Sequence, residues 1–489
     1  MKMKYTSIIY KVGVLYLLCP YFIFFTFWMK DKWKIFSLIL ITICMLKILF
    51  DDDLCINNVL HINKSTMVVG CAIIFVWLVF SGVGGFSYQN DDFVWRNAMF
   101  EIMVSENWPI TMTIEQNGES VARGFSYYMG FWLPAAAFAK VFGIQIGNYI
   151  QFIWAFVGII LFFSLVWNYL ESAKSWIIIL FIFFSGFDYL GMIIYGTNVE
   201  QIDISMHLEW WATFFQYSSF TTQLYWVFNQ AIPAWVATML ILEAKNNKYI
   251  VFILACAMLN CTMPFVGMIP IMLVIVIKNF VIKRGEYIDT KKWIMAQNKE
   301  LFSFVNLFGG GYVGIMSYLF LKKKSVTGTI SVFDMSHGGW SLLLVFLSLE
   351  VLVYIIFVFE KEKKNPLYYV IILLLCVIPL IKLNDEGNFC MRASIPMLVI
   401  LYVFTCDSII YLFKEKNIKR LCAFLMCFCL GAVTPIHEME RSVLETRNGY
   451  INQENENDQE KIGIQKIMEN DFESTDVDSN FFYKYIAGE

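Results

Sequence analysis

Apolar stretches recur along almost the whole chain, and this recurrence limits the possible folds more than any other feature. A membrane-crossing helix needs roughly 20 mainly apolar residues, or somewhat fewer where flanking side chains snorkel. Stretches of this kind begin near residues 8, 35, 65, 127, 147 and 175, and again near 228, 249, 263, 301, 341, 366, 392 and 418. They predict an all-α, polytopic integral membrane protein with about 12–14 transmembrane helices. Composition agrees, with 58% of the 489 residues hydrophobic and 16% charged, against about 45–50% and about 25% in soluble domains. So few charges cannot coat a globule. A soluble enzyme, a disordered chain and a basic nucleic-acid binder are excluded, and the expected surroundings are a lipid bilayer with no nucleic acid. The formal net charge of −3 says nothing about partners.

Most of the 12 cysteines lie inside apolar stretches and no CxxC pair exists, so they read as small, polarisable packing residues. Met1-Lys2-Met3-Lys4 and the apolar run behind it lack a small-residue cleavage site, and read as a first anchor helix. Asn260-Cys261-Thr262-Met263-Pro264 breaks two apolar runs and suggests a re-entrant pair. Lysine and arginine in short loops set sidedness. The clusters Lys245 to Lys248, Lys278 to Lys299, Lys361 to Lys364 and Lys414 to Arg420 thread consistently when all four lie inside. Lys30, Lys32 and Lys34 resist that scheme, as do Lys322, Lys323 and Lys324. The outer side then carries the loop 86–126, the segment 196–226, the loop 383–391 and a tail with 13 acidic and five basic residues. The expected organisation is a membrane domain over 1–436 followed by an acidic extracytoplasmic tail over 437–489. Phe481-Phe482-Tyr483 in that tail is apolar enough to dock back on the membrane domain. No internal repeat is visible, which disfavours folds built from duplicated halves.

The stretch from Asn90 to Val104 carries the most information. Polar residues at 92, 96, 97, 101 and 105 form one helical stripe beside Phe93, Val94, Met99, Phe100 and Met103. This predicts a short helix in the outer interface, ended by Trp108-Pro109, with Asp91 and Asp92 at its start. Aspartate at a helix start is a cap, and one suffices. The second is left for general-base work on an acceptor hydroxyl, or for holding a divalent cation such as Mg²⁺ or Mn²⁺ through oxygen. Arg96, one turn on from Asp92, is placed to pair with it. Glu115 and Glu119 read as solvated loop charges.

An Asp-bearing outer loop with an interfacial helix, then Arg123-Gly-Phe-Ser-Tyr127-Tyr128-Met-Gly-Phe-Trp132-Leu-Pro134 and a span ending Ala-Lys140-Val-Phe-Gly143, resembles the GT-C superfamily of polytopic membrane glycosyltransferases. The similarity covers roughly residues 65–170 and lies in pattern, with two extra helices before it. It implies transfer of a sugar from a polyprenyl-phosphate carrier to a cell-envelope glycan or glycolipid acceptor, at the outer face of a bacterial plasma membrane. It implies Asp91 or Asp92 as catalytic base or metal ligand, and Arg123, Tyr127 and Tyr128 among the substrate contacts.

Segment 203–235 mixes aromatic rings with amides and a carboxylate, the combination that sugar C–H faces and hydroxyls need. Glu209, Trp210, Asn229 and Gln230 are its candidates, against an interfacial aromatic belt for the tryptophans and helix–helix contacts for the amides. In the loop before residue 393, Asp385 and Arg392 are candidates, Arg392 either snorkelling or holding a carrier phosphate. Lys322 and Lys323 carry the same two readings. Other motifs fail: His437-Glu-Met-Glu lacks a second zincin histidine, and Gly309-Gly310-Gly311 lacks the Lys-Ser/Thr of a phosphate loop. No nucleotide cofactor is expected. The rivals are a lipid-linked saccharide flippase or transporter, which calls for ionisable groups such as Glu350 near mid-membrane, and a polysaccharide polymerase.

Overall fold

A computed structural model of the chain describes residues 5–51, 54, 62–116, 119–197, 202–322, 330–333, 335, 338–383, 387–449, 462–470 and 473–488. Helices α1 (Tyr5–Phe27) and α2 (Asp31–Leu49) form a hairpin, and Lys11 Nζ donates to Leu49 O at its far end, at 2.7 Å. Then come α3 (Lys64–Val79), α4 (Asp92–Ser105), α5 (Leu133–Phe142), α6 (Ile144–Tyr169), α7 (Ser175–Ile182), α8 (Asp188–Ile194), α9 (Phe220–Leu242), α10 (Ile250–Ala257) and α11 (Thr262–Ile282). The second half holds α12 (Thr290–Leu301), α13 (Gly311–Leu321), α14 (Gly339–Leu347), α15 (Val353–Glu362), α16 (Pro366–Val377), α17 (Asn388–Ala393), α18 (Ile395–Lys414), α19 (Ile418–Gly431) and α20 (Val433–Arg447).

Among the described residues, seven helices are long and apolar enough to cross a bilayer, and α12 with Val305–Leu321, bent by 41°, makes an eighth if counted as one span. The expected 12–14 crossings thus separate into full-length helices and short apolar ones. At roughly 1.5 Å per residue, the eight residues of α10 reach about 12 Å, well short of a bilayer core of about 30 Å. Apolar runs report burial, and protein buries such helices as well as lipid does. The chain is predominantly helical, with the several long apolar helices that a multi-pass membrane protein has. Its centre is α9, with 94% of its apolar window buried, and α18, with 83%. Trp235 of α9 stacks on Trp77 and meets Phe181 edge-on, with centroids 6.2 and 5.0 Å apart. Exposed apolar residues such as Ile277, Val281, Leu344 and Ile356 leave outer faces for lipid.

The α10–α11 corner is the predicted re-entrant break. Its irregular backbone is held by protein groups, as groups away from water require. Tyr21 Oη donates to Ala255 O and accepts from Leu259 N, both at 3.1 Å, and Gly130 N donates to Leu259 O at 3.1 Å. Beyond it, α11 packs against α17 so closely that a Cβ on Gly267 would overlap the carbonyl oxygen of Ala393. Gly267→Ala is therefore expected to destabilise the protein by about 1–3 kcal/mol. Thermal unfolding in detergent checks this, and an unchanged melting temperature would show that the two backbones part freely.

The all-α expectation needs one correction. Strands β1 (Thr111–Gln116) and β2 (Glu119–Phe125) form an antiparallel hairpin with Gln116 opposite Glu119. A smaller pair joins β3 (Ile330–Val332) to β4 (Ile381–Leu383). The tail then adds β5 (Ser474–Asp476) beside β2, with Gly124 opposite Thr475, to complete a three-stranded sheet. Beyond β5, Phe482 is fully buried and stacks on Phe24 at 5.5 Å. Tyr483 covers Gly124, where a Cβ would come within 2.5 Å of its ring. Helix α20 runs through residue 436, so the division placed there falls inside a helix. Lys30 N donates to Ile486 O at 2.9 Å, and Asn480 Nδ2 donates to Lys322 O at 2.7 Å. Lys30 and Lys322, one from each lysine group that resists the charge rule, thus stand at the sheet end of the bundle. Lys283, paired with Glu300 at 2.7 Å, belongs to the other basic clusters.

Candidate functional site

Helix α4 begins as the polar stripe predicts, but its two aspartates differ. Asp91 occupies the N-cap position, is exposed, and makes no capping hydrogen bond. Asp92 Oδ2 accepts from Arg96 Nη2 at 2.6 Å, which engages the second carboxylate and leaves Asp91 open. Arg96 is only 8% exposed. Its guanidinium lies 5.6 Å from the Phe93 ring and 5.7 Å from that of Phe228 on α9, and its Nη1 has no hydrogen-bond partner. Asn90 Nδ2 donates to Tyr225 O at 3.0 Å, fixing the start of α4 against α9.

Behind β2, the chain presents Tyr127 and Tyr128 with ring centroids 3.8 Å apart, both buried. Burial pushes both phenols up, and the guanidiniums of Arg392 and Arg96 act in the opposite direction on each. Both arginines are therefore within electrostatic reach of one tyrosine pair. Arg392 Nη1 donates to Asn388 Oδ1 at 2.5 Å, within α17, while its buried Nε has no partner. Glu473, from the tail, lies close enough to Tyr128 to act on it, and its carbonyl accepts from Ser126 N at 2.8 Å.

The other sequence candidates are placed apart from this group. Arg123 sits on β2, buried, opposite Met112 and Asp476. Glu209 is buried at the foot of α9, where its carboxylate accepts from Ser219 N and Gln216 Nε2, each at 2.9 Å. Burial, and secondarily Asp188, raises its pKa. Trp210 is exposed on a short helical turn, Leu208–Ala212. Asn229 and Gln230 are buried in α9, and Gln230 Oε1 has no partner. Lys322 ends α13, its ammonium 5.8 Å from the Tyr318 ring. Lys323 and Asp385 lie outside the described residues.

Three features are absent from the sequence candidates. Arg96 was legible only as a partner for Asp92. Asp188 meets Glu350, which sits in a π-helical turn between α14 and α15; Trp211 Nε1 donates to both carboxyls at 3.3 Å, and Thr434 Oγ1 donates to Asp188 at 2.9 Å. Glu438 of α20 takes the Trp226 indole N–H at 2.9 Å, pairs with Arg441, and lies 3.6 Å from His207 Nδ1. Glu350 was visible as a rare mid-span acid, whereas nothing local links it to Asp188.

No protein-family model matches this chain, and no curated protein or solved structure matches it either. Among the described residues, no three histidine, cysteine or acidic side chains are grouped to hold a metal ion. One open carboxylate with a substrate phosphate is nevertheless a donor set that Mg²⁺ uses. Arg96 and Arg392, each with an unused buried donor, lie within electrostatic reach of two phenols, and Asp91 adds an open carboxylate at the head of the helix that carries Arg96. That combination can hold an oxyanion and receive a proton.

Proposed function

We propose that the protein is a GT-C-type glycosyltransferase, moving a sugar from a polyprenyl-phosphate carrier to a hydroxyl of a cell-envelope glycan or glycolipid at the outer membrane face. The observation that carries this reading is the convergence of Arg96 and Arg392, each with an unpartnered buried nitrogen, on Tyr127 and Tyr128. Two such guanidiniums suit a phosphate, which offers more acceptor oxygens than the protein supplies there. In the step, the acceptor oxygen bonds to the sugar's anomeric carbon as the bond to the carrier phosphate oxygen breaks. The electron pair leaves onto the phosphate, where Arg96 and Arg392 stabilise it, and the hydroxyl proton passes to Asp91. Asp92 holds Arg96 in place. A divalent cation, if used, would be held by Asp91 with the donor phosphate and would neutralise charge there.

The test is transfer by the purified full chain in proteoliposomes supplied with polyprenyl-phosphate-linked sugars. Each lost charged hydrogen bond is worth about 1.5–3 kcal/mol, so Arg392→Gln and Arg96→Gln are expected to lower kcat/KM for the donor by roughly tenfold to a hundredfold. Unchanged values in both variants would defeat the assignment. The buried Asp188–Glu350 pair supports a second reading, proton-coupled transport of a lipid-linked saccharide, since intramembrane acids commonly serve such relays. That reading requires proton movement with substrate, and Asp188→Asn must abolish it.

A further inference from the structure

Between α8 and the short helical turn Leu208–Ala212 the chain forms an open cleft of about 420 Å³. Tyr195 and Trp211 line one part of it, with centroids 5.5 Å apart, and His207 and Trp210 another, at 4.8 Å. Ser205 and Thr197 add hydroxyls. The cleft is built into the fold. A Cβ on Gly191 would overlap the Trp211 indole, so only glycine lets that ring lie across α8. The Trp211 N–H is anchored below by Asp188 and Glu350 at 3.3 Å. Trp211 is 7% exposed while its neighbour Trp210 is 58% exposed, so the pair forms one fixed and one open aromatic surface.

Among the described residues the lining holds no Asp, Glu, Lys or Arg, and burial holds the His207 imidazole down to about 3, so it is neutral at neutral pH. A cleft with aromatic faces and hydroxyls, whose Ser205 donates to the Asp203 carboxylate at 2.6 Å, does not suit a phosphate, and its concavity separates it from a flat interfacial belt of tryptophans. It suits a neutral pyranose, whose C–H faces stack on rings while its hydroxyls find donors and acceptors. Its place relative to α4 is also informative. His207 contacts Glu438, and Glu438, Arg441 and Asp91 all act on the phenol of Tyr88. Tyr88, Glu438 and Arg441 line one small cavity with Asn90, so the far side of the His207 contact adjoins the residue before Asp91.

We propose that this cleft binds the acceptor saccharide, an uncharged pyranose stacked on Trp210 and Trp211. The term acceptor rests on the transfer reading, whereas saccharide binding does not. The test is saturation-transfer NMR on the full chain in nanodiscs, with methyl glycosides of glucose, galactose, N-acetylglucosamine and rhamnose as probes. At least one glycoside is expected to receive saturation at its ring C–H protons. Trp210→Ala should raise its Kd about tenfold at an unchanged melting temperature, because Trp210 is largely exposed. Gly191→Ala, which displaces Trp211, should weaken binding as well. Silence from all four probes, or wild-type binding in both variants, overturns the cleft. Asp91→Asn activity decides the transfer reading separately, so the two failures are distinguishable.

Discussion

Asp91→Asn is expected to lower sugar transfer by about 10²–10⁴-fold, with expression and melting temperature unchanged. The side chain is exposed and makes no capping hydrogen bond, so its loss disturbs nothing around it. Amide replacement keeps shape and removes the negative charge that receiving the acceptor's proton, or holding a cation, requires. Asp92→Asn should behave differently. Asp92 is the partner of a buried guanidinium, so its neutralisation loosens Arg96 and should act first on donor KM. The measurement is kcat and KM for both variants in proteoliposomes. If both are normally expressed and fully active, the glycosyltransferase assignment falls.

Phe482→Ala is expected to cost about 3–5 kcal/mol of stability, the range for removing a buried phenylalanine. Its ring is fully buried, stacked on Phe24 and edge-on to Phe320 at 5.3 Å, so the change opens a cavity between α1 and α13. Ending the chain at residue 470 should be worse, because it also removes β5 from β2 and uncovers Gly124. Thermal unfolding in one detergent compares the three chains. A truncated chain that melts with the full-length protein would show the tail to be an appendage.

Much of the helical content was legible in the sequence, because long apolar runs such as those of α6 and α18 have few other uses. Crossings were harder to count, since the runs that became α7 and α10 are as apolar as true spans and differ only in length. The β1–β2 hairpin had a signal, alternation on either side of Asn117-Gly118. Glutamate, glutamine and asparagine in that stretch favoured a loop reading instead. At the site, the sequence marked the head of α4, the tyrosine pair and Arg392 separately. It could not show that they come together, because the relations that gather them, the Arg96 contact with Phe228 and the electrostatic reach of Arg392 to Tyr127, join distant segments. The Asp188–Glu350 pair was hidden for the same reason.

The strand order of the small sheet has a consequence for biosynthesis. Strands β1 and β2 leave the ribosome well before their third partner, β5, which follows every long helix of the bundle. The same late segment brings Glu473 beside Tyr128 and places Tyr483 on Gly124. Elements generally fold as they emerge, but this sheet cannot be finished until β5 has been made. A nascent chain that has not yet reached β5 therefore carries the tyrosine pair without its closing strand.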